Sequence, residues 1–274
     1  MNAKKSSLAK WAVAALSMAA VLGLSGLASA QEKRTIFTES DFHWQGNLKA
    51  GQTLEVINRN GDIEASAGDS ARVSGMKRDG DDDREFFIEV VEYSDGVTIC
   101  AVYAKDKTLG RCHRGGVSSD SSNWNWHGHR AKINFDVAVP SGVRLKAMTT
   151  NGGVHARDLK SVVEAATTNG NVEVSTSEWA SAKTTNGGVR VAMGNAKWSG
   201  ELELMTTNGS VDVTLPSAAE FSVRASTTNG GVRTDFPITV QGSFSSKDLS
   251  GTVGGGGREL RVATTNGGIE LKKS

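Results

Sequence analysis

The chain has 274 residues, 32 of them glycine and only 3 proline, with 38% apolar and 22% charged side chains. That length allows one large domain or two ordinary ones, and abundant glycine with little proline points to many turns, not to disorder. A formal charge of +1 supplies no basic field for nucleic acid or anionic lipid, which excludes those partners as its main business.

The first element is an address. Lys4, Lys5 and Lys10 precede an apolar run from Trp11 to Leu27, and Ala28-Ser29-Ala30 offers the small residues that signal peptidase accepts. Residues 1–30 therefore read as a signal peptide with Gln31 as the mature N-terminus. The alternative, a membrane anchor, is opposed by the interruptions at Ser17, Gly23 and Ser25 and by the cleavage pattern. No cysteine follows the run, which argues against a lipoprotein, and no transmembrane anchor is expected after cleavage. Removal takes three lysines and no acid, so 28 basic side chains face 30 acidic ones in the mature chain. Export would place the protein in the periplasm, on the cell surface or in the medium.

Residues 31–140 read as an N-terminal β region. "LEVINRNGDIEA" at 54–65 alternates apolar and polar residues around Asn60-Gly61. "REFFIEVVEY", "SDG" and "VTICAVYA", residues 84–104, predict two strands joined by a tight turn. Two cysteines, Cys100 and Cys112, fall here, and an oxidising compartment favours a disulfide between them. A metal site using Cys112 and His113 is the competing reading, but a second ligand pair with zinc-site spacing is missing. Residues 105–130 turn polar and irregular, with Trp124, Trp126, His127 and His129 close together, before "KINFDVAVP" resumes the strand pattern at 132–140.

From 141 to 274 one heptapeptide returns: "MTTNGGV" at 148–154, "ATTNGNV" at 166–172, "KTTNGGV" at 183–189, "MTTNGSV" at 205–211, "STTNGGV" at 226–232 and "ATTNGGI" at 263–269. The corner asparagines are Asn151, Asn169, Asn186, Asn208, Asn229 and Asn266, with Asn60 as a degenerate upstream copy. Six and four residues before each asparagine the side chain is apolar, and three after it stands Val or Ile. Period two on both sides of a glycine corner describes half-buried strands, with the inward parity changing at the corner. Asn-Gly can absorb the odd residue because both tolerate positive φ.

Antiparallel hairpins would use the same dipeptide but would not need the same residues at every corner. Stacked coils do, because identical positions then recur about 4.8 Å apart and asparagine amides can bond up the stack as a ladder. Outward on successive coils stand Glu173, Arg190, Asp212 and Arg233, whose alternating signs suit stacking in sequence order. The expected fold is all-β: a single-stranded parallel β-solenoid, or β-helix, right-handed, preceded by the antiparallel hairpin region. The last interval, from Asn229 to Asn266, is about two turns long, and "SSKDLSGTVGGGG" at 245–257 is expected to fill a skipped corner.

The "NRNGDIEA" rung, the strand pair around "EYSDGVTI", the "VAVPSGVRLKAMTTNGGV" transition, the serial TTNG corners and the terminal "GGGGRELRVATTNGGIEL" together resemble the bacterial "putative adhesin" domain family of unknown function. The resemblance covers nearly the whole mature chain. It implies an exported β-stack, and since the adhesin label there rests on shape, it transfers no catalytic residue.

Some β-solenoids are polysaccharide lyases or hydrolases, and such sites need clustered carboxylates at one outward position. Here the outward signs alternate, Asp81, Asp82 and Asp83 read as a solvated turn, and the calcium nonapeptide is missing. One outward threonine per coil is also too sparse for an ice-binding array. No catalytic, cofactor or metal residue is therefore assigned, and no cofactor is expected. The expected role is a non-enzymatic interaction or structural module of the cell envelope, its partner an unidentified envelope protein or glycan. A polysaccharide lyase or hydrolase on a β-helix is the alternative. Trp124 and Trp126 with His127 and His129 are the candidate contacts, either as exposed indoles or as a histidine metal pair; otherwise the tryptophans pack on the neighbouring sheet.

Overall fold

The computed structural model describes residues 32–78, 86–103, 110–119, 131–240 and 245–274, and every regular element among them is a β-strand. The chain opens with β1 (Lys33–Phe37), β2 (Asp41–Gly46), β3 (Thr53–Ile57), β4 (Ile63–Ala67) and β5 (Ala71–Arg78). Two antiparallel pairs follow, β6 (Phe86–Tyr93) with β7 (Gly96–Tyr103) and β8 (Gly110–His113) with β9 (Gly116–Ser119). β10 (Lys132–Val139) leads into β11 (Arg144–Met148), β12 (Val154–Leu159), β13 (Val163–Ala166), β14 (Val172–Thr176), β15 (Ala180–Lys183), β16 (Val189–Met193), β17 (Glu201–Met205) and β18 (Val211–Leu215). β19 (Phe221–Asn229), β20 (Val232–Thr234), β21 (Ile238–Thr239), β22 (Asp248–Val253), β23 (Glu259–Asn266) and β24 (Ile269–Lys273) complete the order.

Each coil places the strand before its Asn-Gly corner in sheet A and the strand after it in sheet B. Sheet A runs β1-β6-β7-β3-β11-β13-β15-β17-β23-β19-β22-β21, and sheet B runs β2-β5-β10-β4-β12-β14-β16-β18-β24-β20. Neighbours are parallel from β7 to β19 in sheet A and from β10 to β20 in sheet B; antiparallel pairs are confined to the ends. The parallel β-solenoid is therefore the observed architecture. Its core is the row of inward residues between the sheets: Leu54, Leu145, Val163, Ala180, Leu202 and Leu260 from sheet A, facing Ile63, Val154, Val172, Val189, Val211 and Ile269 from sheet B, all buried. Each coil alone could cover only half of that surface, so stacking and burial are one event.

At five of the seven corners the turn is taken by glycine and not by asparagine. Gly61, Gly152, Gly170, Gly187 and Gly209 have φ between 119° and 156°, whereas the asparagines beside them keep negative φ. Aromatic clusters lie toward both ends of the core, where no further coil among the described residues covers it. Phe42 lies edge-on to Phe37 and Phe135 at 5.1 and 6.1 Å at one end, and Phe221 packs on Trp198 and Phe236 at 6.4 and 5.4 Å at the other.

The coils do not stack in sequence order. The expectation that the Asn229 coil follows the Asn208 coil fails: β23 lies between β17 and β19, and β24 between β18 and β20. The Asn266 coil thus fills the position next to Asn208. Asp212 accordingly faces Glu270 and not Arg233. The stretch expected to fill a skipped corner instead contributes β22, antiparallel to β19. The hairpin geometry at 86–103 is as the sequence implies, but residues 110–119, expected to be irregular, form the β8–β9 hairpin.

Candidate functional site

The motif residues are consumed by the stack. The first threonine of each pair, Thr149, Thr167, Thr184, Thr206, Thr264 and Thr227, is buried. Each donates its hydroxyl to a glycine carbonyl on the neighbouring coil, at 2.8–3.0 Å. Asn58 does this work on the first coil, donating to Gly61 O and to Ile133 O. The corner asparagines form an unbroken ladder, Asn60, Asn151, Asn169, Asn186, Asn208, Asn266 and Asn229, each amide donating to the preceding carbonyl at 2.7–2.8 Å. Six exposed amide pairs aligned this way polarise one another and hold the register of the edge.

A second structure is built on the outer face of sheet A. β7 is buried along its whole length because the β8–β9 hairpin lies across it, and Cys100 and Cys112 are joined. Ile57, Phe87, Val91 and Val102 form a small apolar cluster with that disulfide. Two carboxylates are sealed in. Glu89 is fully buried, accepts the Cys112 N–H at 2.7 Å and meets Arg34 at 3.1 Å and Arg111 at 3.7 Å. Glu55 accepts from Gly115 N at 3.1 Å and from the Thr98 hydroxyl at 2.8 Å. At the hairpin tip Arg114 pairs with Asp95, holding that carboxyl below the usual range, and lies 4.1 Å from the Tyr93 ring. Double substitution Cys100→Ser and Cys112→Ser should cost roughly 2–3 kcal/mol in the chain-entropy account. Denaturant midpoints read this, and an unchanged midpoint would assign the clamp to the two glutamates alone.

The third candidate is a groove of about 520 Å³ on the outer face of sheet B, where β2, β5, β10, β4 and β12 lie side by side. Small residues Ser66, Ser74 and Ala138 line it between the longer side chains of Gln45, Arg72 and Arg157. Arg157 is held by Glu64 at 2.6 Å, and His155 lies 3.3 Å from Glu173 and 4.0 Å from Glu64. Arg72 and Asp136, by contrast, make no ion pair or side-chain hydrogen bond among the described residues. Glu64 and Arg157 beside them are taken up by each other, so Arg72 and Asp136, with the His43 imidazole, are charged or polar groups the groove offers to another molecule.

Trp124, Trp126, His127 and His129 lie outside the described residues, as do Asp81, Asp82 and Asp83. His113, weighed above as a metal ligand, is exposed and places its Nδ1 2.9 Å from Arg114 O, while its neighbour Cys112 is in the disulfide. Glu89, Glu55, Arg72 and Asp136 were not singled out by sequence. The one signal for Glu89 and Glu55 was that both lie in strands whose outward face is itself apolar, at Phe87, Val91 and Ile57.

A family model described as Toastrack DUF4097 matches residues 111–272, more than half of the chain. The chain belongs to that family. The match takes in six of the seven corners and begins after the Asn60 coil, which in the Toastrack stack is continuous with the rest. Among solved structures, one described as a putative cell adhesion protein from Clostridium sporogenes aligns over 89% of this chain and 100% of its own, at 12% identity and a TM-score of 0.43. A putative adhesin from Bacteroides fragilis aligns over 85% and 97%, at 11% identity and a TM-score of 0.31. No curated protein matches the chain.

Proposed function

We infer that this Toastrack domain is an exported, adhesin-like β-solenoid, a non-enzymatic interaction module of the cell envelope that holds a glycan in the sheet B groove. The observation that carries the reading is the Arg72 guanidinium and Asp136 carboxylate, unpaired among the described residues, over a floor of small side chains in the sheet B groove. Planar charged groups flanked by hydroxyls and an amide are suited to a polyhydroxylated ligand. The lysine-flanked apolar run at 1–30 and the closed disulfide support export to an oxidising compartment. Among the described residues no helix is long and apolar enough to cross a membrane.

The test is retention of the mature protein on envelope extracts, with a glycan array beside it. Arg72→Gln should weaken binding about tenfold or more, as loss of a charged hydrogen bond does, with the thermal midpoint unchanged. Equal binding by Arg72→Gln and Asp136→Asn would remove the groove from the function.

One observation favours the carbohydrate-active alternative: Asp136 and Glu64 are direct neighbours on adjacent strands and line the same groove. A pair of carboxylates flanking one glycosidic bond is what glycosidases use. Glu64, however, is taken up by Arg157 and so is poorly placed to hand a proton to a leaving oxygen. Release of reducing sugar from envelope polysaccharide, lost in Asp136→Asn, would establish this reading in place of the first.

A further inference from the structure

The Asn266 coil sits in a slot. The connection 216–220 carries the chain past one coil position before β19 begins, whereas 160–162, 177–179 and 194–200 each lead to the adjacent position. The coil β19–β20 is laid down one place too far along, and the last segment, 259–273, fills the space from behind. It then has a parallel partner on each side, β17 and β19 in one sheet, β18 and β20 in the other. Its tether is Gly254-Gly255-Gly256-Gly257, where Gly254, Gly256 and Gly257 have φ of 58°, 73° and 124° and Gly257 has open space around its Cα.

The walls of the slot also match each other. Through their shared partners, Leu202 is in register with Val223, Glu203 with Arg224, Leu204 with Ala225, and Asp212 with Arg233. Closed directly, β17–β18 on β19–β20 would join apolar to apolar and acid to base. The inserted coil instead sets Glu259 beside Glu201, Arg261 beside Arg224 and Glu270 beside Asp212. Opposite charges offset this: Arg261 directly faces Glu203 at 3.5 Å and Arg233 directly faces Glu270, and Arg224 reaches Glu259 at 3.4 Å and Arg261 reaches Glu201 at 3.6 Å along the diagonals. The stack is thus self-consistent with or without its last coil, since every coil carries the same corner.

We propose that residues 259–273 are an exchangeable coil, and that the slot accepts the same segment from a second copy of this chain, forming a reciprocally swapped dimer. A terminal element on a glycine tether, held by contacts that an identical chain reproduces, is the arrangement from which swapping costs least. No new surface is needed: the second copy supplies the Asn208-to-Asn266-to-Asn229 rungs that the first has in cis.

The test uses the full mature chain with Glu203→Cys and Arg261→Cys, a pair directly opposed on β17 and β23. Oxidation closes a disulfide within one chain when the coil is in cis and between chains when it is swapped. After unfolding and refolding in dilute and in concentrated solution, the covalently linked dimer on a non-reducing gel should grow with concentration. Deleting Gly255 and Gly256 should raise the dimer share at a fixed concentration, because the shortened tether reaches the cis slot less well. Cross-links confined to single chains at every concentration overturn the proposal, as does a dimer whose 203–261 bond is still within one chain, since that dimer uses another surface.

Discussion

Val211→Asp should unfold the middle of the solenoid, with a loss of about 4 kcal/mol or more, the range of a buried, unpaired polar or charged group. Val211 has no exposed surface, lies between Val189 and Ile269 on adjacent strands, and donates its own N–H to Gly268 O at 2.9 Å. A carboxylate there meets only the inward row of valines and isoleucines. Because each coil is stable only against its neighbours, the loss spreads to the coils on both sides. The neighbouring outward position provides the contrast. Asp212→Val, where the side chain is 30% exposed and its nearest cation, Arg190, is 4.0 Å away, should change stability by less than about 1 kcal/mol. Thermal denaturation separates the two, and an unchanged midpoint for Val211→Asp would refute the inward register.

Gly187→Ala should cost about 3 kcal/mol, the upper range for overpacking, while Gly188→Ala beside it should cost less than about 0.5 kcal/mol. At Gly187, φ is 150° and an added Cβ would run into the carbonyl of Gly170 on the neighbouring coil. That carbonyl already accepts the Thr184 hydroxyl at 2.9 Å, and the asparagine amides on either side are locked at 2.8 Å. Relief therefore requires parting two coils. At Gly188 the nearest heavy atom to a new Cβ is 3.6 Å away and the backbone is ordinary, and other coils carry Asn171 or Ser210 at that place. Equal midpoints for the two variants would mean that the close approach at the corner is not what selects the first glycine.

Sequence alone determined the coils themselves: which residues face inward, where each corner falls, and that equivalent corners stack. These are properties of one strand and its nearest neighbour. Period two sets the face, glycine sets the bend, and a repeated Thr-Asn pair bonds to whatever identical corner lies beside it. For the same reason the order read from the sequence, with Arg233 following Asp212, was wrong. Any TTNG coil satisfies any other, so the placement of Asn266 between Asn208 and Asn229 rests on tertiary pairing: the antiparallel β22 occupies the far side of β19 and β23 takes the near side. Tertiary structure also decided the fate of Glu89 and Glu55. Each is an ordinary outward acid by alternation and is buried only because the β8–β9 hairpin folds back over sheet A. The candidate groove was equally out of reach. Arg72 and Asp136 are 64 positions apart in the chain and line one groove because β5 and β10 pair, and their lack of partners among the described residues depends on what the surrounding strands present.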